Sequence, residues 1–170
     1  SVLLFLSKLL MLSPTKHHIR NVLITGGTGF VGSNLALALI KEGCNVRVLR
    51  RQNSDLRTVK GLNVEHFIGD LLDKNSLQRA MDGWDTVFHT AALVAIWKGK
   101  KQEQEQINVV GTRYVIEAAL TVGVKKFIHT SSIAAIGYRT DGLLSDENTP
   151  FNWSSTLGYK YSKYLAEVEV

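Results

Sequence analysis

The stretch Thr25-Gly26-Gly27-Thr28-Gly29-Phe30-Val31-Gly32 decides how this chain folds. It follows the apolar run Val22-Leu23-Ile24 and precedes Leu35-Ala36-Leu37-Ala38-Leu39-Ile40, so a strand, a glycine turn and a helix are written consecutively. Each spaced glycine meets a need that a side chain would obstruct. Gly26 permits the tight turn, Gly29 lets the backbone approach a pyrophosphate, and Gly32 packs the helix on the strand. The start of the helix, with Phe30 and Val31 in its first turn, offers unpaired N–H groups and the positive end of the dipole to an anion. Such a turn alone is a weak sign, because any crowded strand-to-helix turn can require glycine.

Working outward, apolar runs of four to six residues alternate with longer segments of helical period. That is the pattern of βαβ units and a parallel sheet. Strands are expected at 21–25, 45–49, 64–68, 86–89 and 126–130, with helices at 29–42, 74–81 and 102–122. Gly43 ends the first helix, Asp73 is placed to cap the second, and Gly123 closes the third. Residues 134–155 have no period and hold Asp141-Gly142, Asn148 and Pro150. Long loops of that kind tend to be functional. A last helix is expected from about Thr156 to Val170. The fold class read from this order is α/β, a doubly wound parallel sheet of Rossmann type. A sixth strand is common in such sheets and none remains, so the fifth is expected at an exposed edge and the chain to be a piece of a longer protein.

The 170 residues suffice for one domain, read as an extension over 1–18 and a dinucleotide-binding domain, incomplete at its C-terminus, over 19–170. Hydrophobic content is 45% and charged content 21%, ordinary for a globular protein. The net charge of +5 comes from scattered lysines and arginines without interleaved aromatics, which argues against nucleic-acid binding. Cys44 is the only cysteine, so no internal disulfide forms. The leading run SVLLFLSKLLMLS is broken by Lys8 and is shorter than the roughly 20 residues a bilayer span needs. It lacks the basic start and cleavage site of a signal peptide, so a cytoplasmic location is expected. No metal site is assigned.

A dinucleotide fold usually carries an acidic residue about 20 positions beyond the glycines, bonded to the adenosine 2′-hydroxyl. Here the second strand ends Val48-Leu49-Arg50-Arg51 instead. A carboxylate would repel a 2′-phosphate and a guanidinium would pair with it, so NADP(H) is favoured and NAD(H) is the alternative. Asp70-Leu71 follows the third strand, where Asp70 could accept a bond from the adenine amino group or cap a helix. After the fourth strand, Thr90-Ala91-Ala92 are small enough for a ligand to lie against the backbone.

Tyr159 and Lys163 are four apart, so a helix places them on one face. An ordinary phenol is a poor base at neutral pH, where ionising it costs roughly 4 kcal/mol. A neighbouring ammonium lowers that cost, and an oxidised nicotinamide would lower it further. Ser132, at the end of the fifth strand, could bond a substrate oxygen as charge develops.

With these residues in place, the chain resembles the extended short-chain dehydrogenase/reductase superfamily over about residues 20–170. The landmarks occur in that family's order: the glycine turn, Asp70-Leu71, His89-Thr90-Ala91-Ala92, Asn108-Val109-Val110-Gly111-Thr112, Thr130-Ser131-Ser132 and Tyr159-Lys160-Tyr161-Ser162-Lys163. The resemblance implies Tyr159 as general acid/base, Lys163 as its electrostatic partner and ribose ligand, and Ser132 as the carbonyl-polarising donor. It implies Asn108 as a structural and water-positioning residue. Residues 131–137 and 158–167 look most similar to the dihydroflavonol reductase-like group and its hopanoid-associated sugar epimerase relatives. Gly137 departs from the Asn or Asp of plant dihydroflavonol reductases, and Ile136 from the tyrosine of typical nucleotide-sugar epimerases.

The expected activity of the whole protein is hydride transfer between a nicotinamide and an alcohol or ketone carbon of a small molecule. The superfamily's C-terminal substrate domain is absent here, so this piece is expected to bind the cofactor but to lack turnover alone. A nucleotide-sugar epimerase or dehydratase would use the same residues, and a non-catalytic dinucleotide sensor would not need Tyr159, Lys163 and Ser132. The whole protein could pair as a homodimer. Trp97, with Lys98 to Lys101, is placed near the substrate mouth, although apolar packing explains the tryptophan equally well.

Overall fold

The computed structural model describes residues 21–95, 99–155 and 158–170. Five strands form one parallel sheet: β1 (Asn21–Thr25), β2 (Asn45–Arg50), β3 (Glu65–Ile68), β4 (Thr86–His89) and β5 (Lys126–His129), in the spatial order β3-β2-β1-β4-β5. The helices are α1 (Phe30–Lys41), α2 (Lys74–Met81), α3 (Lys101–Gln104), α4 (Gly111–Val122) and α5 (Gly158–Glu169). From β1 in mid-sheet the chain winds out to β3, then returns across β1 to build β4 and β5. That reversal puts a switch point between β1 and β4, where ligands bind in open α/β sheets. Thr25 lies level with Leu49 on β2 and His89 on β4, so three loops leave the same edge together.

Alternating side chains explain why helices cover both faces. Val22 and Ile24 point one way and Leu23 the other, and all three are fully buried. Leu23, Leu49 and Val87 pack against Leu77 and Met81 of α2 and Val115 and Ala119 of α4. On the opposite face, Ile24, Val48 and Phe88 pack against Leu35, Ala36 and Leu39 of α1. Each fully buried aliphatic side chain contributes about 1.5–3 kcal/mol.

Helix ends follow local chemistry. Gly29 is extended and serves as the N-cap, so α1 starts at Phe30. Asp73 caps α2 by accepting from the N–H groups of Asn75 and Ser76 at 3.0 and 3.2 Å. The helix expected over 102–122 is an unbroken helical run from Lys101 to Val122 that contains a π turn at Glu105–Val110. There the N–H of Gly111 bonds the carbonyl of Gln106, five residues back. A period of 3.6 does not register one extra residue, which is why the sequence reads as plain α-helix.

The segment after β5 is folded into an arch. Asn152 accepts from the N–H of Tyr138 at 2.9 Å and donates to its carbonyl at 2.8 Å, while the Trp153 indole N–H donates to Ile136 O at 2.9 Å. A Cβ at Gly137 would lie 1.8 Å from the Pro150 carbonyl oxygen, so this position has no room for the larger residue of the plant reductases. The extension 1–18, Trp97, Lys98 and the expected helix start at Thr156 lie outside the described residues. No helix among the described residues is long and apolar enough to cross a membrane.

Candidate active site

The glycine turn is shaped by what lies against it. Gly26 has φ +69°, and a Cβ there would come within 2.7 Å of the Ala91 backbone, so the turn rests directly on the segment leaving β4. A Cβ at Gly32 would lie 2.4 Å from Gly26 O, so α1 rests on the turn. Gly29 is less confined, its nearest neighbour being Gly26 O at 3.2 Å. No side chain caps α1 and no acidic residue occupies its first turn, which leaves its N-terminus open to an anion. Phe30 and Val31 sit on the solvent side of that turn.

In front of the turn lies a cavity of about 340 Å³, lined by Gly26, Gly29, Arg51 and Asp70 and closed by Leu71, Ala91 and Ala92. These expected cofactor residues come together. Phe30, Val31, Gly32, Arg50, Asn108, Ser132, Tyr159 and Lys163 are not part of its wall. The two arginines divide their work. Arg50 Nη1 donates to the carbonyls of Arg51 and Gln52 at 3.2 and 3.4 Å, bracing its own loop, while Arg51 lines the cavity. Asp70 Oδ1 accepts from Leu72 N–H at 2.9 Å, which makes it the start of an Asx turn rather than a helix cap. A dinucleotide fits what is present: bare backbone at Gly26 and Gly29, open helix N–H groups, and a cation and a carboxylate along the cavity.

Beyond the cavity, α5 packs on the 3₁₀ turn Ile133–Ala135 that follows β5. Ser132 precedes that turn, and its Oγ accepts from Ala134 N–H at 3.1 Å, leaving the hydroxyl proton available. Lys163 is almost fully buried and its ammonium donates to Thr130 O at 2.9 Å. Burial pushes its pKa down. Tyr159 stands one helical turn earlier on the same face.

A buried polar chain, not anticipated from the sequence, links these parts. Thr112 Oγ1 donates to Asn108 O at 2.6 Å, so it must accept from His89 Nε2 at 2.9 Å. The other ring nitrogen, Nδ1, then accepts from Thr25 Oγ1 at 2.6 Å. The order Thr25, His89, Thr112, Asn108 is thus directional, with a neutral His89 protonated at Nε2. Burial, helped by His129 and Lys163, pushes the His89 pKa down to about 3. His129, level with His89 on β5, is lowered to about 4, first by burial and then by Lys163, whose Nζ lies 3.5 Å from its Nε2.

Asn108, in the π turn, accepts from Leu93 N–H at 2.7 Å and donates to Leu93 O at 3.1 Å and Ser162 Oγ at 2.9 Å. Ser162 Oγ donates to Tyr159 O at 2.9 Å, so Asn108 ties the loop after β4 to the first turn of α5. The available signal was a histidine ending two otherwise apolar strands, Thr86-Val87-Phe88-His89 and Lys126-Phe127-Ile128-His129.

The chain is similar to known proteins over most of its length. The sequence pattern of the 3-beta hydroxysteroid dehydrogenase/isomerase family matches residues 23–170. Sterol demethylase protein B of Methylococcus capsulatus is 38% identical over 87% of this chain and 45% of its own length. The putative dihydroflavonol 4-reductase of Synechocystis is 39% identical over 86% of this chain and 43% of its own. The chain therefore spans less than half the length of these curated relatives. Among solved structures, gox2253 superimposes with a TM-score of 0.80 at 43% identity, covering 88% of this chain and 46% of that one. A short-chain dehydrogenase/reductase superfamily protein of Agrobacterium tumefaciens with bound NAD gives 0.73 at 31%, covering 87% and 43%. A UDP-glucose 4-epimerase of Thermotoga maritima with UDP-glucose gives 0.77 at 27%, covering 87% and 49%.

Proposed function

The chain belongs to the 3-beta hydroxysteroid dehydrogenase/isomerase family, and from that membership we propose that it is the dinucleotide-binding part of an NADP(H)-dependent oxidoreductase acting on an alcohol or ketone. Gly26, Gly29 and the start of α1 would hold the pyrophosphate, Asp70 and Leu71 the adenine, and Arg51 the 2′-phosphate. When bound, the nicotinamide would supply or accept the hydride.

The chain's own residues manage the proton and the charge. Tyr159 would give a proton to the carbonyl oxygen in reduction, or take it from the hydroxyl in oxidation. The Lys163 ammonium would favour the ionised phenol, and Ser132 would donate its free proton to the substrate oxygen as charge develops. One observation carries this reading: Thr130 O holds the Lys163 ammonium two residues before Ser132, with Tyr159 one turn away. A second reading, a nucleotide-sugar epimerase, is favoured by the likeness to the Thermotoga enzyme and uses the same residues.

Fluorescence titration with NADPH and NADH tests the cofactor, and tighter NADH binding would overturn the choice of NADP(H). Tyr159→Phe tests the chemistry. In the full-length protein it should lower turnover by about 10²–10⁴-fold while NADPH affinity holds, and undiminished turnover would sink the assignment.

A further inference from the structure

A second cavity, of about 650 Å³, adjoins the first at the carboxyl edge of β2 and β3, and Arg51, Gly69 and Asp70 line both. Its far wall is formed by Asp73, the N-cap of α2, and by Ser76 and Arg79 of that helix. Arg47 pairs with Glu65, Arg57 with Asp55, Arg113 with Glu169 and Arg139 with Asp141, and Arg50 is spent on the carbonyls of its own loop. Among the described residues, Arg51 and Arg79 form no ion pair, although Asp70 and Asp73 line the same cavity. Those carboxylates instead accept backbone N–H groups, from Leu72 in one case and from Asn75 and Ser76 in the other. Two guanidiniums therefore border one space with their charge uncommitted.

Resting on the NADP(H) reading, we propose that Arg79 is a second cofactor-specificity residue, which grips the adenosine 2′-phosphate from α2 while Arg51 grips it from the end of β2. A phosphate monoester carries nearly two charges and three strong acceptor oxygens, which forked guanidinium donors on two sides satisfy together. One exposed arginine against solvent contributes little. A pair discriminates against a bare 2′-hydroxyl. The competing role for Arg79, a cation that complements the C-terminal dipole of α2, would not alter cofactor choice.

The probe is 2′,5′-ADP, with 5′-AMP as the counterpart lacking the 2′-phosphate, titrated calorimetrically into the chain. Arg79→Ala should weaken 2′,5′-ADP by about tenfold and leave 5′-AMP within about twofold, with Arg79→Lys recovering part of the loss. Equal weakening of both ligands, or no weakening of 2′,5′-ADP, overturns the role of Arg79. A wild-type chain that binds 5′-AMP as tightly as 2′,5′-ADP overturns the NADP(H) reading as well. If Arg51→Ala costs 2′,5′-ADP affinity and Arg79→Ala does not, the NADP(H) reading stands and only Arg79 falls.

Discussion

The ammonium of Lys163 donates to the carbonyl oxygen of Thr130 at 2.9 Å, which fastens the middle of α5 to the carboxyl end of β5. Both elements border the candidate site, so this bond helps to set the separation between the segment after β5 that carries Ser132 and the helix that carries Tyr159.

Lys163→Met should separate stability from function. The variant removes a buried charge, a gain, and strips Thr130 O of its partner, a loss of about 1–3 kcal/mol. The two offset, so Tm in differential scanning fluorimetry should stay near that of the wild type. Turnover of the full-length protein should fall by at least about 10²-fold. A matched collapse of both would assign Lys163 a purely structural role.

Two glycines of the same turn should respond differently. Gly32→Ala forces a methyl to 2.4 Å from Gly26 O and should cost about 2–3 kcal/mol in urea unfolding. Gly29→Ala meets nothing nearer than 3.2 Å and should cost under about 1 kcal/mol. Because Gly29 lines the cavity, its variant should still lose dinucleotide affinity in a fluorescence titration. Comparable destabilisation by both would contradict the geometry.

Acid should unfold this protein through its histidines. The folded chain holds His89 at about 3 and His129 at about 4, below the ordinary value of 6.5. Between those folded values and 6.5 the unfolded chain binds more protons, so stability is full above pH 6.5 and is lost as pH falls. For His89 alone the loss is on the order of 3 kcal/mol by pH 4. His89→Leu should be less stable at pH 7, because Thr25 and Thr112 lose a partner, yet show a flatter acid limb in urea melts. An unchanged acid limb would mean that His89 is not the group titrating.

Asn108→Asp should be worse than its size suggests. Aspartate can still accept from Leu93 N–H, but it cannot donate to Leu93 O or Ser162 Oγ. A loss of about 2–4 kcal/mol is expected, with faster proteolysis at the start of α5. Ser162→Ala, which breaks one of those contacts, should cost about 1 kcal/mol.

The strand–turn–helix reading at Val22 to Ile40 was legible because glycines and apolar runs carry local constraints. So was the cap at Asp73, a residue satisfying its own neighbours. The division between Arg50 and Arg51 was not, since the choice depends on where the following loop turns its carbonyls. Nor was the chain through Thr25, His89 and Thr112, whose members lie 64 and 23 residues apart. Strand register brings them together, and no local pattern encodes it.

The π turn at Glu105–Val110 has the form that a one-residue insertion leaves in an α-helix. Excising one residue there would restore ordinary winding and leave α4 facing the sheet as before, because the wide turn already absorbs the extra residue locally. Thr112 would keep its place beside His89, while the residues of the turn itself, Asn108 among them, would change their aim. A shortened variant should therefore still fold, with its loss confined to the tie between the loop after β4 and α5.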